Sequence, residues 1–538
     1  MVSTGIPLAL WVSGSLVDRQ LRALSDKTFA GIHQLAPFDL AILIPYFVLL
    51  TILSVYGIHR YEMIRGYLKH KKRARNTPQP HFDELPRVTI QLPLYNEKFV
   101  VERLIEETLK MEYPRELLQI QVLDDSTDET HPFTQALVAR YQALGHPIEY
   151  HHRDNRHGFK AGALQEGLES ATGEFVAVFD ADFIPPSDFL MRTVHPFADP
   201  KVGCVQTRWT YLNRHYNLLT EVEAMLLDGH FVLEHGARSG GGLFFNFNGT
   251  AGILRRAMIE DAGGWQHDTL TEDSDLSYRA QVNGWKFVYI PGVECPSELP
   301  VDMQGFQVQQ SRWSKGLTQV AIKLLPRILR ADLPKRVKAE AIFHLTPNIS
   351  YPMMVVVSAL MLPVMIVRFY MGWLQMLLID MPLIIASFWS ISAFYLLAQK
   401  ELFPERWKRA VFFLPFLMAA GVALTVSNTR AVIEALCGVQ TAFARTPKYA
   451  IGGQKTKVTS GKYRSRTGWL PYIEIALGTY FVYMIGFAID SFNYLSLPFL
   501  ALFVVGYYWA GFSTIYTDLQ NRVKWQRARR LELEQARG

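Results

Sequence analysis

Cysteine is scarce in this chain: Cys204, Cys295 and Cys437 are its only three in 538 residues, widely separated and at no metal-ligand spacing. Such sparse thiol usage fits a domain held in a reducing compartment. No HxxxH, CxxC or Walker-type element occurs. The first dozen residues lack a basic segment and an evident cleavage site, so no secretory leader is expected. Neither sign of charge dominates: 55 Lys and Arg against 49 Asp and Glu leave a formal +6, and no nucleic-acid partner is expected.

The chain does have long apolar runs, at 37–58, 350–367, 374–398, 411–427, 470–489 and 495–515. Each approaches or reaches the roughly 17–25 residues needed to cross a bilayer. Basic sequence follows the first run (HRYEMIRGYLKHKKRAR) and recurs at 400–409, at 430–466 and at 522–530, whereas the turns near 369–373 and 491–494 carry none. By the bias of cytoplasmic loops towards Lys and Arg, the amino end faces out and the carboxyl end in. The 411–427 run has basic sequence on both flanks, so it is expected to be interfacial or re-entrant, leaving five crossings. The expected organisation is an N-terminal segment (1–36), a first crossing (37–58) and a basic linker (59–80). A catalytic domain (81–300), interfacial helices (301–348) and two crossings (349–398) follow. An interfacial or re-entrant helix with a loop (399–468), two crossings (469–516) and a basic tail (517–538) complete the chain.

Between the first two runs, short apolar stretches alternate with helical patterns. RVTIQLPLYNE, QIQVLDD and EFVAVFDAD read as strands, and 100–111, 132–143 and 160–171 as helices, an α/β unit with a mainly parallel sheet. Ligands collect beyond the carboxyl ends of such strands, where Asn96, Glu97, Asp124, Asp125, Asp180 and Asp182 stand. A carboxylate there is as often a turn or cap residue, and for Asp125 alone the two readings balance. DAD at 180–182 is stronger, because two carboxylates flanking a small residue after a strand can approach one hard cation, Mg2+ or Mn2+. Such a cation would offset charge on a departing diphosphate.

Four other stretches carry chemistry. Lys160 lies among small residues in HGFKAGAL and can meet a phosphate or carboxylate. FNGTAG at 247–252 embeds Asn248 and Gly249 in apolar sequence, as either a pocket wall facing a sugar or a site of tight packing. In TEDSDLSYRA, Thr271 is a candidate N-cap for a helix whose first turns carry Asp273 and Asp275. The macrodipole favours acids there, and one of them could equally remove a proton from an attacking hydroxyl. QVQQSRW pairs Arg312, a rigid fork of donors suited to diphosphate oxygens, with Trp313, an apolar face for a pyranose.

Taken in order, DD at 124–125, DAD at 180–182, TED at 271–273 and QxxRW at 309–313 resemble the inverting, membrane-integrated family 2 glycosyltransferases, the cellulose, chitin and hyaluronan synthases and their relatives. The resemblance implies a GT-A-type catalytic domain inserted between membrane helices. It places Asp124 and Asp125 on the nucleoside, Lys160 and Asp180 on the donor, and Asp182 with Asp180 on the cation. It makes Asp273 the general base within Thr271–Glu272–Asp273. Gln309 and Arg312 fall on the donor diphosphate, and Trp313 on the acceptor sugar at a channel mouth. FARTPK at 443–448 is similar to a gating loop of cellulose synthases, with Phe443, Thr446 and Lys448 matching and Arg445 standing where that loop has valine.

QTRW at 206–209, with Trp209, and FNGTAG, with Asn248 and Gly249, are closest in form to plant cellulose synthase-like enzymes that make mannans, glucomannans or glucans, and fall on the acceptor side. The implied activity is a processive β-hexosyltransferase using UDP-glucose, with GDP-mannose as the alternative donor. An enzyme adding one or a few sugars to a lipid is the other alternative. The implied partners are the nucleotide sugar, a growing glycan or lipid acceptor and the bilayer, with an export partner or a second copy left open. The implied location is the plasma or inner membrane, multi-pass, with the catalytic domain cytoplasmic.

Overall fold

The computed structural model describes residues 36–74, 80–369, 381–440 and 468–535. Seven strands, β1 (Val88–Leu94), β2 (Leu118–Asp124), β3 (Ile148–His152), β4 (Phe175–Val178), β5 (Val202–Tyr211), β6 (Gly252–Arg255) and β7 (Lys286–Ser297), form one sheet in the order β3-β2-β1-β4-β6-β5-β7. All neighbours run parallel except β6, which is antiparallel to both β4 and β5. The sheet is therefore mainly parallel with one reversed strand. Gly252 pairs with Val178 and Arg255 with Phe175, so the chain enters β6 from the carboxyl end of β4. This reversal delivers the FNGTAG loop to the end of the sheet where DAD stands.

The strands are covered on both faces, as a parallel sheet requires. Val88, Ile90, Leu92 and Leu94 of β1 pack against the helices Lys98–Leu109 and Thr130–Ala143. On the other face, Thr89 and Gln91 are buried and donate to Gln119 Oε1 (2.8 Å) and Gln121 Oε1 (3.0 Å). Here the helix Phe159–Ser170 comes so close that a methyl group on Gly167 would lie 2.5 Å from Gln91 Nε2. The expected helices at 100–111, 132–143 and 160–171 are thus Lys98–Leu109, Thr130–Ala143 and Phe159–Ser170.

Among the described residues, four helical segments are long and apolar enough to cross a membrane: Pro37–Lys71, Pro347–Arg368, Leu470–Asp490 and Tyr494–Gln520. The helix Met381–Leu402 covers the later part of the 374–398 run, whose first residues lie outside those described. The 411–427 run falls in two helices, Ala410–Ala423 and Thr425–Leu436, bent by 40° at a short break, which makes the pair either one broken span or a re-entrant loop. The first helix also differs from expectation, continuing through the basic linker to Ala74. Its polar half is stabilised by packing. Tyr67 donates to Glu401 (2.9 Å), Lys71 pairs with the same carboxylate, and Gly236 lets the Tyr67 ring lie against the domain that carries the sheet.

Candidate active site

A cleft of about 1310 Å3, its open mouth included, lies beyond the carboxyl ends of β1, β2 and β4. At the donor end, Lys160 in the first turn of Phe159–Ser170 points across to the DAD turn, where its Nζ donates to Asp180 Oδ1 (2.5 Å) and to the Gly249 carbonyl (3.0 Å). Burial opposes the charge on Lys160, but Asp180 and Glu272 outweigh it and raise its pKa above the usual lysine value. The backbone N–H of Asp180 donates to Thr250 Oγ1 (2.9 Å), and that of Glu298 to Asp182 Oδ2 (3.2 Å). Both acids therefore have fixed orientations on the cleft wall. Two hard carboxylates on one turn, facing a diphosphate-sized space, are a donor set suited to Mg2+ or Mn2+.

Asp125 also lines the cleft, and its carboxylate is held at both oxygens by Arg153, from Nε (2.7 Å) and Nη2 (2.6 Å). Arg153 also binds the carbonyls of His157 (3.1 Å) and Phe159 (2.9 Å), so this pair braces the turn that presents Lys160. In that turn Arg156 and Phe159 adopt positive φ (43° and 52°) without being glycine. Each costs about 1–2 kcal/mol, strain that functional loops commonly carry. The Arg156 guanidinium stacks 3.3 Å from the Tyr95 ring centroid, forming the outer edge of the cleft.

Thr271 is the N-cap position of the helix Glu272–Val282, as expected, but its hydroxyl makes no capping bond. Asp273 in the first turn faces the cleft, with Oδ1 accepting from the Ser274 N–H (2.7 Å). Burial first, then the neighbouring Glu272 carboxylate, push its pKa up to about 7, against the pull of the Ser274 N–H and Lys160. Gly249, at φ +81°, lets the loop pass close by: a methyl there would lie 3.0 Å from Asp273 Oδ2 and 3.5 Å from Lys160 Nζ.

The QxxRW residues lie on the amphipathic helix Met303–Arg330, capped by Asp302, whose carboxylate accepts from the Gly305 N–H (2.8 Å). Gln309, Arg312 and Trp313 share the face that borders the cleft. Burial lowers the Arg312 pKa, although Glu272 and Asp180 partly restore it. Trp209, displaced by a register shift between Thr207 and Arg208 in β5, packs on Phe183 and Phe231 and lines the acceptor side with Asn248 and Trp313. Three buried polar atoms here, Trp209 Nε1, Tyr211 Oη and Gln309 Oε1, make no hydrogen bond within the protein. Orphans of this kind are uncommon in folded chains and suit a hydroxyl-rich ligand.

One cleft thus collects Asp125, Lys160, Asp180, Asp182, Trp209, Asn248, Gly249, Thr271, Glu272, Asp273, Gln309, Arg312 and Trp313. Asp124 is not in its lining. As the last residue of β2 it turns away and accepts from the Ser126 N–H (2.8 Å) and the Tyr150 hydroxyl (2.7 Å). Its oxygens also approach ring nitrogens of His131 and His152 within 4.8 Å, and the two imidazoles stack at 3.8 Å. Phe443, Arg445, Thr446 and Lys448 lie outside the described residues.

The sequence reading missed Gln206 and Glu298. Gln206 Oε1 accepts from the Asn248 N–H (2.8 Å), while its Nε2 donates to the carbonyls of Thr250 (3.2 Å) and Ala251 (3.1 Å), pinning the FNGTAG loop. Glu298 lines the cleft and pairs with Arg103 (2.8 Å). The QTRW motif contained the one signal for Gln206, whose period-2 spacing puts it on a buried face of β5.

Residues 86–316 match a family model described as glycosyltransferase like family 2. A probable glucomannan 4-beta-mannosyltransferase of Oryza sativa subsp. japonica is 44% identical over 250 residues, 45% of this chain and 44% of the relative. A glucomannan 4-beta-mannosyltransferase of Cyamopsis tetragonoloba is 40% identical over 283 residues, 51% of this chain and 53% of the relative. The chain spans about half the length of the curated relatives it matches. A solved mannosyltransferase of Pyrobaculum calidifontis, in complex with GDP-Man and Mn2+, matches at 23% identity and TM-score 0.48 over 71% of this chain and 99% of that one.

Proposed function

We propose that this chain, whose residues 86–316 form a family 2 glycosyltransferase domain of the cellulose synthase-like kind, is an inverting hexosyltransferase that extends a β-linked glycan at a membrane. The observation that carries the proposal is the convergence on one cleft of a base (Asp273), two cation-binding acids (Asp180 and Asp182), two fixed cations (Lys160 and Arg312) and an aromatic floor (Trp209 and Trp313) from distant stretches of sequence. GDP-mannose replaces UDP-glucose as the favoured donor, and mannan or glucomannan as the product, because relatives 39–44% identical across the catalytic region are named glucomannan 4-beta-mannosyltransferases.

In this scheme Asp273 accepts the proton of an acceptor hydroxyl, freeing its oxygen to attack the anomeric carbon from the side opposite the nucleotide. Lys160 and Arg312 meet the diphosphate as its bond to the sugar breaks. Asp182 and Asp180 would hold Mg2+ or Mn2+, which when bound supplies further positive charge to the leaving group. An α-linked donor inverted once leaves a β linkage. Trp313 and Trp209 hold the acceptor by their ring faces, and the orphan donors beside them serve its hydroxyls. The basic flanks of the apolar helices support a cytosolic position for the cleft.

Purified full-length chain in lipid vesicles, supplied in turn with GDP-mannose and UDP-glucose, tests the proposal by linkage and size analysis of the product. A β-1,4-linked polymer containing mannose from GDP-mannose is expected. Incorporation from UDP-glucose alone would return the glucan reading. Short lipid-extractable products alone would sink the polymer reading.

A further inference from the structure

Asn248 borders the acceptor side of the cleft, yet both ends of its carboxamide are also engaged from behind. Oδ1 lies 2.6 Å from His235 Nε2, and Nδ2 lies 3.0 Å from His230 Nε2. Both histidines belong to a π-helical turn, Gly229–His235, which continues the helix Leu218–Asp228. Single π turns inside α-helices recur at functional sites. Nothing in the catalytic scheme uses these histidines.

The hydrogen bonds fix which end of the amide is which. Glu234 Oε2 lies 3.0 Å from His230 Nδ1 and also accepts from Arg238 Nη1 (3.0 Å). Burial disfavours its charge, but Arg238 and His230 hold the Glu234 carboxyl well below the usual range, so it is ionised and can only accept. His230 Nδ1 therefore carries the proton of this hydrogen bond, and its Nε2, 3.0 Å from the Asn248 NH2, is the acceptor. The amide nitrogen on that side turns Oδ1 towards His235 and makes His235 Nε2 a donor. Burial keeps His235 well below the ordinary imidazole range, so it is neutral, and its buried Nδ1 has no partner. Each assignment forces the next, from Glu234 to Asn248. The Asn248 N–H is pinned separately by Gln206.

We propose that Glu234, His230 and His235 form a tautomer-locked clamp that fixes the orientation of the Asn248 carboxamide. Asn248 then presents one N–H and one oxygen lone pair, in fixed order, to adjacent hydroxyls of the acceptor hexose. Asn248 is a specificity-determining contact, and His230 and His235 are positioning residues that act through it. An amide free to flip would recognise either order of donor and acceptor, whereas a locked one discriminates between hydroxyl configurations. The clamp rests on the glycosyl-transfer reading of this cleft.

The test compares His235→Phe with His235→Gln in the full chain. The aromatic shell around His235, which includes Phe231, Phe245 and Tyr289, accommodates a phenyl ring, and glutamine restores an N–H near the Nε2 position. H235F is expected to raise the acceptor KM about 10-fold or more at unchanged donor KM, with H235Q within about 3-fold of wild type. His230→Phe, at a less buried position, should give the same acceptor-specific rise and stands in should H235F fail to fold. An unmoved acceptor KM, a donor KM rising in step, or H235Q as impaired as H235F would overturn the clamp while leaving the transferase reading intact. Absence of transfer by the wild-type chain from any nucleotide sugar would instead remove that reading, and the clamp with it.

Discussion

Gly316 lies directly against Thr271: a methyl group on Gly316 would come within 2.5 Å of Thr271 Cγ2 and 2.9 Å of its backbone nitrogen. Gly316 sits one helical turn beyond Arg312, and Thr271 opens the helix that carries Asp273. The Leu270 N–H donates to Gln319 Oε1 (2.9 Å), so the same contact is bolted by a hydrogen bond. The QxxRW helix and the TED helix are therefore packed and hydrogen-bonded to each other, and the distance between Arg312 and Asp273 depends on a missing side chain.

Gly316→Ala tests this coupling. In an exposed helix the change would stabilise by about 1 kcal/mol. Here the added methyl meets backbone as well as side chain, and overpacking of that kind costs about 1–3 kcal/mol. The packing cost is expected to win. G316A should lower both the unfolding midpoint and kcat, the latter about 10-fold or more, measured by thermal unfolding and by sugar transfer. A more stable, fully active G316A would show that the two helices are not coupled here.

Asp273 should set the acid limb of the pH profile. With its pKa pushed up to about 7, the carboxylate needed to take a proton is lost as pH falls through 7 and fully formed well above it. kcat/KM is expected to rise with pH around neutrality and then level off. Asp273→Asn should reduce transfer about 100- to 10,000-fold and abolish that limb, while nucleotide-sugar binding by calorimetry persists. A wild-type limb near pH 4, or an active D273N, would remove Asp273 from the role of base.

Residues whose chemistry is local were legible in the sequence. Asp180 and Asp182 stand just beyond a strand, Lys160 and Asp273 in the first turn of a helix, and Arg312 and Trp313 side by side on one helix, and the cleft collects them all. Asp124 and Asp125 illustrate the limit. Adjacent residues at the end of a strand point to opposite sides, so one acid faces the cleft and the other Tyr150 and His131. The sequence shows two equivalent carboxylates, and only the pairing of β2 with β3 tells them apart. His230, His235 and Gly316 were invisible for a related reason. They bear on Asn248 or Thr271, 13 to 45 residues away, and nothing in composition or period marks a residue whose task is to hold another. The helical continuation to Ala74 was hidden similarly, because its polar half is held by Glu401 and the helix that begins at Gly236 rather than by its own pattern.

The Asp125–Arg153 pair makes a stability prediction. Both side chains are nearly buried, at 5% and 8% exposure, and removing one partner of such a pair typically costs about 3–5 kcal/mol, because the other is left buried and unpaired. Arg153→Met should therefore be markedly destabilising in chemical denaturation. It should also raise the donor KM, since the carbonyls of His157 and Phe159 lose the donors that shape the turn before Lys160. The double variant with Asp125→Asn should be less destabilised than the sum of the singles, because the stranded charge is gone. Strict additivity would mean that the two side chains do not support each other.

Metal removal separates the two acids of the DAD turn from the two cations that face them. Lys160 and Arg312 are fixed charges and stay in place without an ion, so chelation should weaken transfer rather than unfold the domain. Transfer is expected to fall about 100-fold or more in EDTA and to return on adding Mn2+ or Mg2+, with the unfolding midpoint barely changed. Asp182→Asn retains an oxygen for the Glu298 N–H but loses the charge that attracts a cation. The half-saturating metal concentration should accordingly rise about 10-fold or more, and excess Mn2+ should recover much of the lost rate. If D182N instead lost activity with no change in metal dependence, the cation would have to sit elsewhere, and Asp182 would be left with orienting the segment around Glu298.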